Sequence, residues 1–418
     1  MPIVTQILNQ MSGLSLCQRQ VVGHLLCLWP CVRGRFNFVN LSRYSSYCER
    51  TWRRHFAASF DWGAFNARWI ALAVPAHHHL LLGYDHSFVP KSGRHTPGLF
   101  RFYNGCAGRA EKGLELALLG VLDLDRNTAY ALHAKQTLPS ADATKATKAT
   151  KATKAVTDVA CKDLKHLQES QPYWPPGVRH LAADGAFTRR HFVDGVCELG
   201  LDFVGKLRRD ADLRYLFAGE QAGRGRPKRY AGKVVWSAFQ PAHWHHQGQL
   251  EKGVELYSAT LYHVSLKRHI QVALLRKSAS ASASASASAS ASGAQRQVLL
   301  FSTDLKLSGR QLVRMYRARF QIEFLFRDAK SGAGLTHCQS RHQAALHFHW
   351  NAALAALNLA KTQAPATAPA RFSWASTRQK HGNQHLLRLF SSKLDLDWNQ
   401  VKNHPNFQAL ENYGVIHP

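Results

Sequence analysis

The chain has 418 residues, 45% of them hydrophobic, and its 54 Lys plus Arg against 26 Asp plus Glu give a formal net charge of +28. That length allows two or three ordinary domains, or one large core with an appendage at each end. The charge reports on partners rather than fold. Because basic residues are spread along the whole chain and not gathered beside an apolar segment, nucleic acid is favoured over an anionic membrane. The longest apolar stretches, near Trp69 to Tyr84 and Leu114 to Leu124, are interrupted by Pro75, three histidines, Glu115 or Asp123, so no membrane span is expected. No signal-peptide pattern opens the chain, and the eight cysteines are scattered without a CxxC pair. A cytoplasmic protein with reduced structural thiols is the expectation.

Residues 1–70 read as mainly helical, with apolar side chains returning at helical spacing through Ile7, Leu8, Met11 and Leu14, then Val22, Leu25, Leu26 and Trp29. Within them, the run from Asn40 to Phe56 predicts a short helix, a turn near Cys48 to Arg50 and a second helix carrying Arg50, Arg53 and Arg54. A helix-turn-helix would set such a helix in the major groove, its arginines on phosphates and guanine edges. A plain basic helical cap is the alternative.

From residue 78 the pattern changes to short apolar runs bounded by Gly, Pro and Asn, which predict strands at 79–85, 114–124 and 128–135. A helix from Val156 to Glu169, a strand from Val178 to Asp184, a helix from Thr188 to Leu199 and a strand from Leu201 to Leu207 follow. Three strands, a helix, a strand, a helix and a strand is the order of a ribonuclease H-like α/β mixed-sheet core, its first part over 78–207. Strand-like runs at Val234–Ser237, Val254–Val264, His269–Leu275 and Val298–Ser302 make 208–303 a β-rich insertion. The core resumes over 304–362 with helices from Ser308 to about Ala329 and from Ala344 to Lys361, leaving 363–418 as a tail suited to dimerisation. Two low-complexity tracts, a fourfold Thr-Lys-Ala at Thr144–Ala155 and a Ser-Ala alternation at Ser278–Ser292, cannot fill a core and are expected in exposed loops.

The most informative segment runs from Tyr316 to Lys330. On one helix, Tyr316, Arg319, Glu323 and Lys330 fall at about 0°, −60°, −20° and −40°, a single polar stripe, while Phe320, Ile322 and Phe324 take other faces and can anchor the helix in a core. A carboxylate beside two cations and a phenol suits a phosphodiester held near a hard metal ion. An ordinary solvated, ion-paired helix face is the alternative.

These four residues match the Tyr-x2-Arg-x3-Glu-x6-Lys spacing without a gap, and in this the sequence resembles the bacterial insertion-sequence transposases with a DDE domain. Two further segments resemble that family: Asp85-His-Ser-Phe-Val-Pro-Lys-Ser-Gly93, like the context of its first Asp, and Asp184-Gly-Ala-Phe187, like that of its second. The resemblance spans about 80 to 362. It implies a ribonuclease H-like fold, catalytic and metal-ligating roles for Asp85, Asp184 and Glu323, and phosphate contacts by Tyr316, Arg319 and Lys330. Two Mg²⁺ ions roughly 4 Å apart serve such phosphoryl transfer, with Mn²⁺ able to substitute; by resemblance Asp85 bridges them. Lys91 is a further phosphate-contact candidate. The family implies DNA partners, both terminal inverted repeats and target DNA, a homodimer on that DNA, and a bacterial, nucleoid-associated setting.

Weaker signals complete the inventory. Ala222-Gly-Arg-Gly-Arg-Pro-Lys-Arg-Tyr230 looks like an AT-hook, which would lay Arg224, Arg226 and Lys228 along a minor groove. The run His77, His78, His79 cannot give three ligands to one ion if it lies on a strand, since neighbours there point to opposite faces. Trp236, Trp244 and Trp350 are candidates for stacking on an extruded base or for core packing. A catalytically inactive DNA-binding repressor and a structure-specific nuclease are the competing functions.

Overall fold

The computed structural model describes residues 2–138, 148–221, 223–236, 239–277, 297–361 and 372–416, the side chains of 148–158 aside. Five helices come first: α1 (Pro2–Gln10), α2 (Leu16–Leu28), α3 (Phe38–Arg43), α4 (Glu49–Ala57) and α5 (Trp62–Ala73). Then follow β1 (Leu80–Pro90), β2 (Phe100–Asn104), β3 (Arg109–Asp123), β4 (Thr128–Thr137), α6 (Lys148–Ser170), β5 (His180–Ala183), α7 (Arg190–Glu198) and β6 (Asp202–Leu207). β1 pairs antiparallel with β3, β3 with β4, and β1, β5 and β6 run parallel, giving the order β4-β3-β1-β5-β6. The elements follow one another along the chain in the expected sequence, and the mixed α/β arrangement is consistent with a ribonuclease H-like DDE fold.

The second half comprises β7 (Leu213–Leu216), β8 (Tyr230–Lys233), β9 (His245–Glu251), β10 (Val254–His263), β11 (Arg268–Lys277) and β12 (Gln297–Ser302), then α8 (Gly309–Ala318), α9 (Phe320–Ser331), α10 (Gln343–Lys361), α11 (Trp374–Lys393), α12 (Trp398–Asn403) and α13 (Phe407–Glu411). The insertion is β-rich as expected, but it is no separate sheet: β12 pairs antiparallel with β6, so its strands continue the core sheet as β6-β12-β11-β10-β7-β8. Three strands escape the sequence patterning. β2 and β9 are half-exposed edge strands and β7, between β10 and β8, has only four residues; β8 ends at Lys233, so Val234 to Trp236 do not form the expected strand, whose last residue, Ser237, lies outside the described residues.

The sheet is covered on both faces, which explains why Leu116 to Leu122 of β3 read as a continuous apolar run and are all buried. Neighbours on β1 part to opposite sides: Gly83 and Asp85 face α8 and α9, while Tyr84 and His86 face α6. The free edge of β4 is closed by α10. Asn358 accepts from the Ala131 N–H and donates to its carbonyl, and Asn351 does the same at Ala134, at 2.8–3.0 Å. Two asparagines two helical turns apart thus replace a missing strand partner.

The N-terminal helices are not a detached module. Trp29, Trp52, Trp62 and Trp69 are fully buried, the Trp29 indole donates to the Ala333 carbonyl at 2.9 Å, and Phe56 of α4 lies 4.6 Å from Phe348 of α10. The Thr-Lys-Ala tract behaves differently from expectation. Its later copies, from Lys148, form the first turns of α6, as Ala and Lys are strong helix formers; the earlier part, and the Ser-Ala run, lie outside the described residues.

Candidate active site

The expected single helix from Ser308 to Ala329 is two. A capping box between Ser308 and Gln311 starts α8, and at Arg319 the chain tightens to i→i+3 bonding, Arg319 N–H to the Tyr316 carbonyl and Ile322 N–H to that of Arg319. Arg319 stays helical in φ and ψ, so α9 continues at a slight break. Ile322, Leu325, Phe326 and Ala329 hold α9 in the core, whereas Phe320 and Phe324, expected to help anchor it, are each 44% exposed. α9 sits tightly on β1: a Cβ on Gly83 would fall 2.4 Å from Ile322 Cδ1.

That contact carries Glu323 to Asp85. The Arg319 guanidinium joins them, Nη1 at 3.3 Å from Asp85 Oδ2 and Nη2 at 2.8 Å from Glu323 Oε1, closing a sequence separation of 234 residues on the Asp85 side. Asp184, directly after β5, caps a short 3₁₀ turn by accepting from the Ala186 N–H at 2.7 Å. Burial pushes the Asp85 carboxyl up to about 6; Arg319 pulls it down and the Asp184 charge adds to the rise. Asp184 thus lies within electrostatic reach of Asp85. Tyr316 is buried, its phenol pushed up chiefly by burial and by the charges of Asp184 and Glu323, with Arg319 opposing.

The structure thus brings Asp85, Asp184, Glu323, Tyr316 and Arg319 together. It does not bring Lys330 to them. Lys330 lies two turns further along α9, about 10 Å on, beside Cys106 in the β2–β3 turn, with its ammonium pKa lowered by burial. Lys91 is already engaged within the chain. Its Nζ donates to the carbonyls of Cys338 (2.7 Å) and Ser340 (2.9 Å), tying the end of β1 to the loop after α9.

A cleft of about 1510 Å³ runs from this centre along the insertion, lined among others by Asp184, Arg189, Lys206, Arg208, Tyr316 and Arg319. Arg189 and Lys206 were not legible as site residues. A carboxylate group buried beside a second one, compensated by a single shared guanidinium, is short of positive charge, and an all-oxygen donor set suits a hard divalent cation. The residues fit a metal, although their ligand oxygens do not all lie within 4.8 Å of one another as they stand, with Arg319 between two of them.

Behind β1 lies a buried network that sequence reasoning missed. Asp163 of α6 accepts from Tyr84 Oη at 3.0 Å and pairs with His86 Nε2 at 2.8 Å, the two neighbours of Asp85. Burial works against a charged His86, but Asp163, Glu115 and Asp85 outweigh it and raise its pKa. The signal was present: Tyr84 and His86 share one strand face, and Asp163 and His166 one helix face.

Elsewhere, Arg50 and Arg54 of α4 point outward while Trp52, His55 and Phe56 are buried, and Arg53 pairs with Glu49 and stacks on Phe38. Arg224 and Arg226 are exposed at the tip between β7 and β8, where Gln221 bonds both backbone groups of Lys228 and the Lys228 ammonium sits 4.8 Å over Phe217. Trp350 and Trp244 are core residues, the latter donating to Tyr215 Oη. Two other acidic groupings could hold a cation, His78 with Asp123 and Asp125, and His180 with Asp202 and Asp304, but both are largely engaged in internal hydrogen bonds. Among the described residues no helix is long and apolar enough to cross a membrane.

The mixed α/β fold and the grouped acidic residues are consistent with a nuclease-type enzyme. Residues 50–256 match the family model described as DDE superfamily endonuclease, which supports a DDE transposase-like family. The match contains Asp85 and Asp184 and stops before Glu323, so the third carboxylate rests on the geometry of α9. No curated protein matches the chain.

Proposed function

We propose that the chain is the transposase of a bacterial insertion sequence, cutting DNA at terminal inverted repeats and joining the freed 3′-hydroxyl to target DNA. The observation that carries this reading is that Arg319 joins Asp85 to Glu323, from distant segments, while Asp184 lies within electrostatic reach of Asp85. Asp85, Asp184 and Glu323 would hold two divalent cations, Mg²⁺ or in its place Mn²⁺, which supply Lewis acidity and activate a water or 3′-hydroxyl. Arg319 neutralises the carboxylates and offers the same guanidinium to the phosphate. Tyr316 lines the cleft as a hydrogen-bond donor, its raised pKa keeping the phenol protonated. Arg50 and Arg54 of α4 suit phosphate or base contact at the element end, and Arg224 and Arg226 suit a minor groove. The exposed apolar residues Leu386, Leu389, Phe390 and Leu394 on and after α11 suit the second copy of a homodimer.

Sequencing the products from end-containing DNA, target DNA and Mg²⁺ tests this function. Joined target with duplicated flanks is expected. Hydrolysis alone would favour a structure-specific nuclease, and tight binding without nicking in Mg²⁺ or Mn²⁺ an inactive repressor.

A further inference from the structure

A second cavity, of about 790 Å³, opens where β1 ends. Its walls come from three distant parts of the chain: Arg35 before α3, the loop after β1 with Arg94 and His95, and the loop after α9 with His337 and Arg341. No Asp or Glu lines it. Arg35, Arg94 and Arg341 are exposed, and no carboxylate pairs with them among the described residues. That sets them apart from Arg53, Arg109, Arg208, Arg314, Arg317 and Arg327, each paired with a nearby acid.

The walls are also fixed in place. Lys91 ties the β1 loop to the carbonyls of Cys338 and Ser340, and His337 Nδ1 accepts from the Phe36 N–H at 3.2 Å. Three like charges held in one concavity repel one another unless an anion joins them. Arg35 is close enough to His337 to help lower its pKa, a shift to which burial contributes most.

Position adds to the argument. The loop after α9 lines this groove through Cys338, Gln339 and Arg341, and through Ser340 and His342 it lines the hollow beside Arg50, Arg53 and Arg54 of α4. The groove therefore lies between the outward face of α4 and the strand that carries Asp85. Five residues of β1 separate Asp85 from Pro90, about 17 Å at 3.3 Å per residue. At 3.4 Å per nucleotide of one strand, that is about five nucleotides.

We propose that Arg35, Arg94 and Arg341 form a phosphate-binding groove that grips the backbone of duplex DNA about five nucleotides from the scissile position, linking α4 to the catalytic centre. The groove's ligand is a polyanion on the chemistry of its lining alone. Its identity as DNA, and the nucleotide count, rest on the reading given under the proposed function.

The test is the salt dependence of binding to a 30-base-pair duplex by fluorescence anisotropy, in KCl from 50 to 300 mM. Each phosphate neutralised contributes about 0.9 to the slope of log K against log salt. The triple variant Arg35→Gln, Arg94→Gln, Arg341→Gln is expected to flatten the wild-type slope by 2–3, about three contacts' worth. A control with the same charge loss, Arg126→Gln, Arg310→Gln, Arg388→Gln, is expected to flatten it by less than about one. Thermal unfolding verifies the fold; should the triple variant unfold early, the single variants Arg94→Gln and Arg341→Gln are each expected to flatten the slope by about one. A folded groove variant with the wild-type slope, or a control that flattens it equally, overturns the proposal. Cleavage is scored separately. A flattened slope in a protein that never cuts DNA keeps the groove and sinks the transposase reading, whereas cutting with an unchanged slope does the reverse.

Discussion

Removing the Asp163 carboxylate tests whether the network behind β1 holds the catalytic strand. Asp163 is 3% exposed and serves both Tyr84, which is fully buried, and His86. In Asp163→Ala, Tyr84 keeps His166 Nδ1 at 3.1 Å as a partner, but His86 loses its nearest anion and is left with Glu115 at 3.6 Å. Breaking a buried pair by deleting one member costs about 3–5 kcal/mol, a large share of the roughly 5–15 kcal/mol that holds a domain folded. Asp163→Asn retains an acceptor for Tyr84 and should cost about 1–2 kcal/mol, near the worth of one hydrogen bond. Urea unfolding gives both numbers. In the Asn variant, because the strand position of Asp85 is loosened while the site's own residues remain, half-maximal cleavage should need more Mg²⁺ than wild type. If Asp163→Ala unfolds within about 1 kcal/mol of wild type, less than the loss of one charged hydrogen bond, the network does not hold β1. If Asp163→Asn keeps the wild-type Mg²⁺ requirement, its link to Asp85 is refuted.

Other perturbations follow from the same geometry. Arg319→Ala leaves Asp85 without its guanidinium and should cost about 2–3 kcal/mol, below the full buried-pair value because Glu323 is half-exposed; added Mg²⁺ should then raise its melting temperature more than that of wild type. An equal Mg²⁺ response in both proteins would count against a shared cation position. Gly83→Ala drives a methyl into Ile322 and should cost about 1–3 kcal/mol as overpacking, with loss of cleavage as α9 lifts from β1; normal cleavage at normal stability would show that the contact is not needed. Burial lowers the His349 pKa to about 4 from 6.5. Its share of stability is complete above 6.5 and drains away as pH falls towards 4, because the unfolded chain takes up a proton that the fold refuses, an effect of about 2 kcal/mol by pH 5. His133, lowered to about 3 by burial, His347 and Lys135, acts in the same direction. Urea midpoints that stay level between pH 7.5 and 5 would contradict this.

The core was legible because its strands are apolar in runs and its helices apolar in stripes, patterns that survive any long-range detail. β2 and β9 were not, since half-exposed edge strands keep no such pattern, and β7 is too short, at four residues, to show one. The helical wheel of Tyr316, Arg319 and Glu323 held across the break at Arg319, yet the wheel records angle and not reach, and so it grouped Lys330 with a centre about 10 Å away. Lys91 was legible as a residue of interest but not in its role, because the carbonyls it bonds lie nearly 250 residues away in sequence, at separations of 247 and 249. Arg189, Lys206 and the acid-free groove depend on which loops meet. No local spacing encodes that.

The central claim is that Asp85, Asp184 and Glu323 act as one centre. The direct measurement is Mg²⁺-dependent cleavage of element-end DNA by wild type and by Asp85→Asn, Asp184→Asn and Glu323→Gln, with binding and unfolding followed in parallel. Each folded variant should bind the DNA and lose cutting by at least about a hundredfold, the scale of removing one group that stabilises transition-state charge. Any one of them cutting at the wild-type rate would remove that carboxylate from the centre and contradict the account.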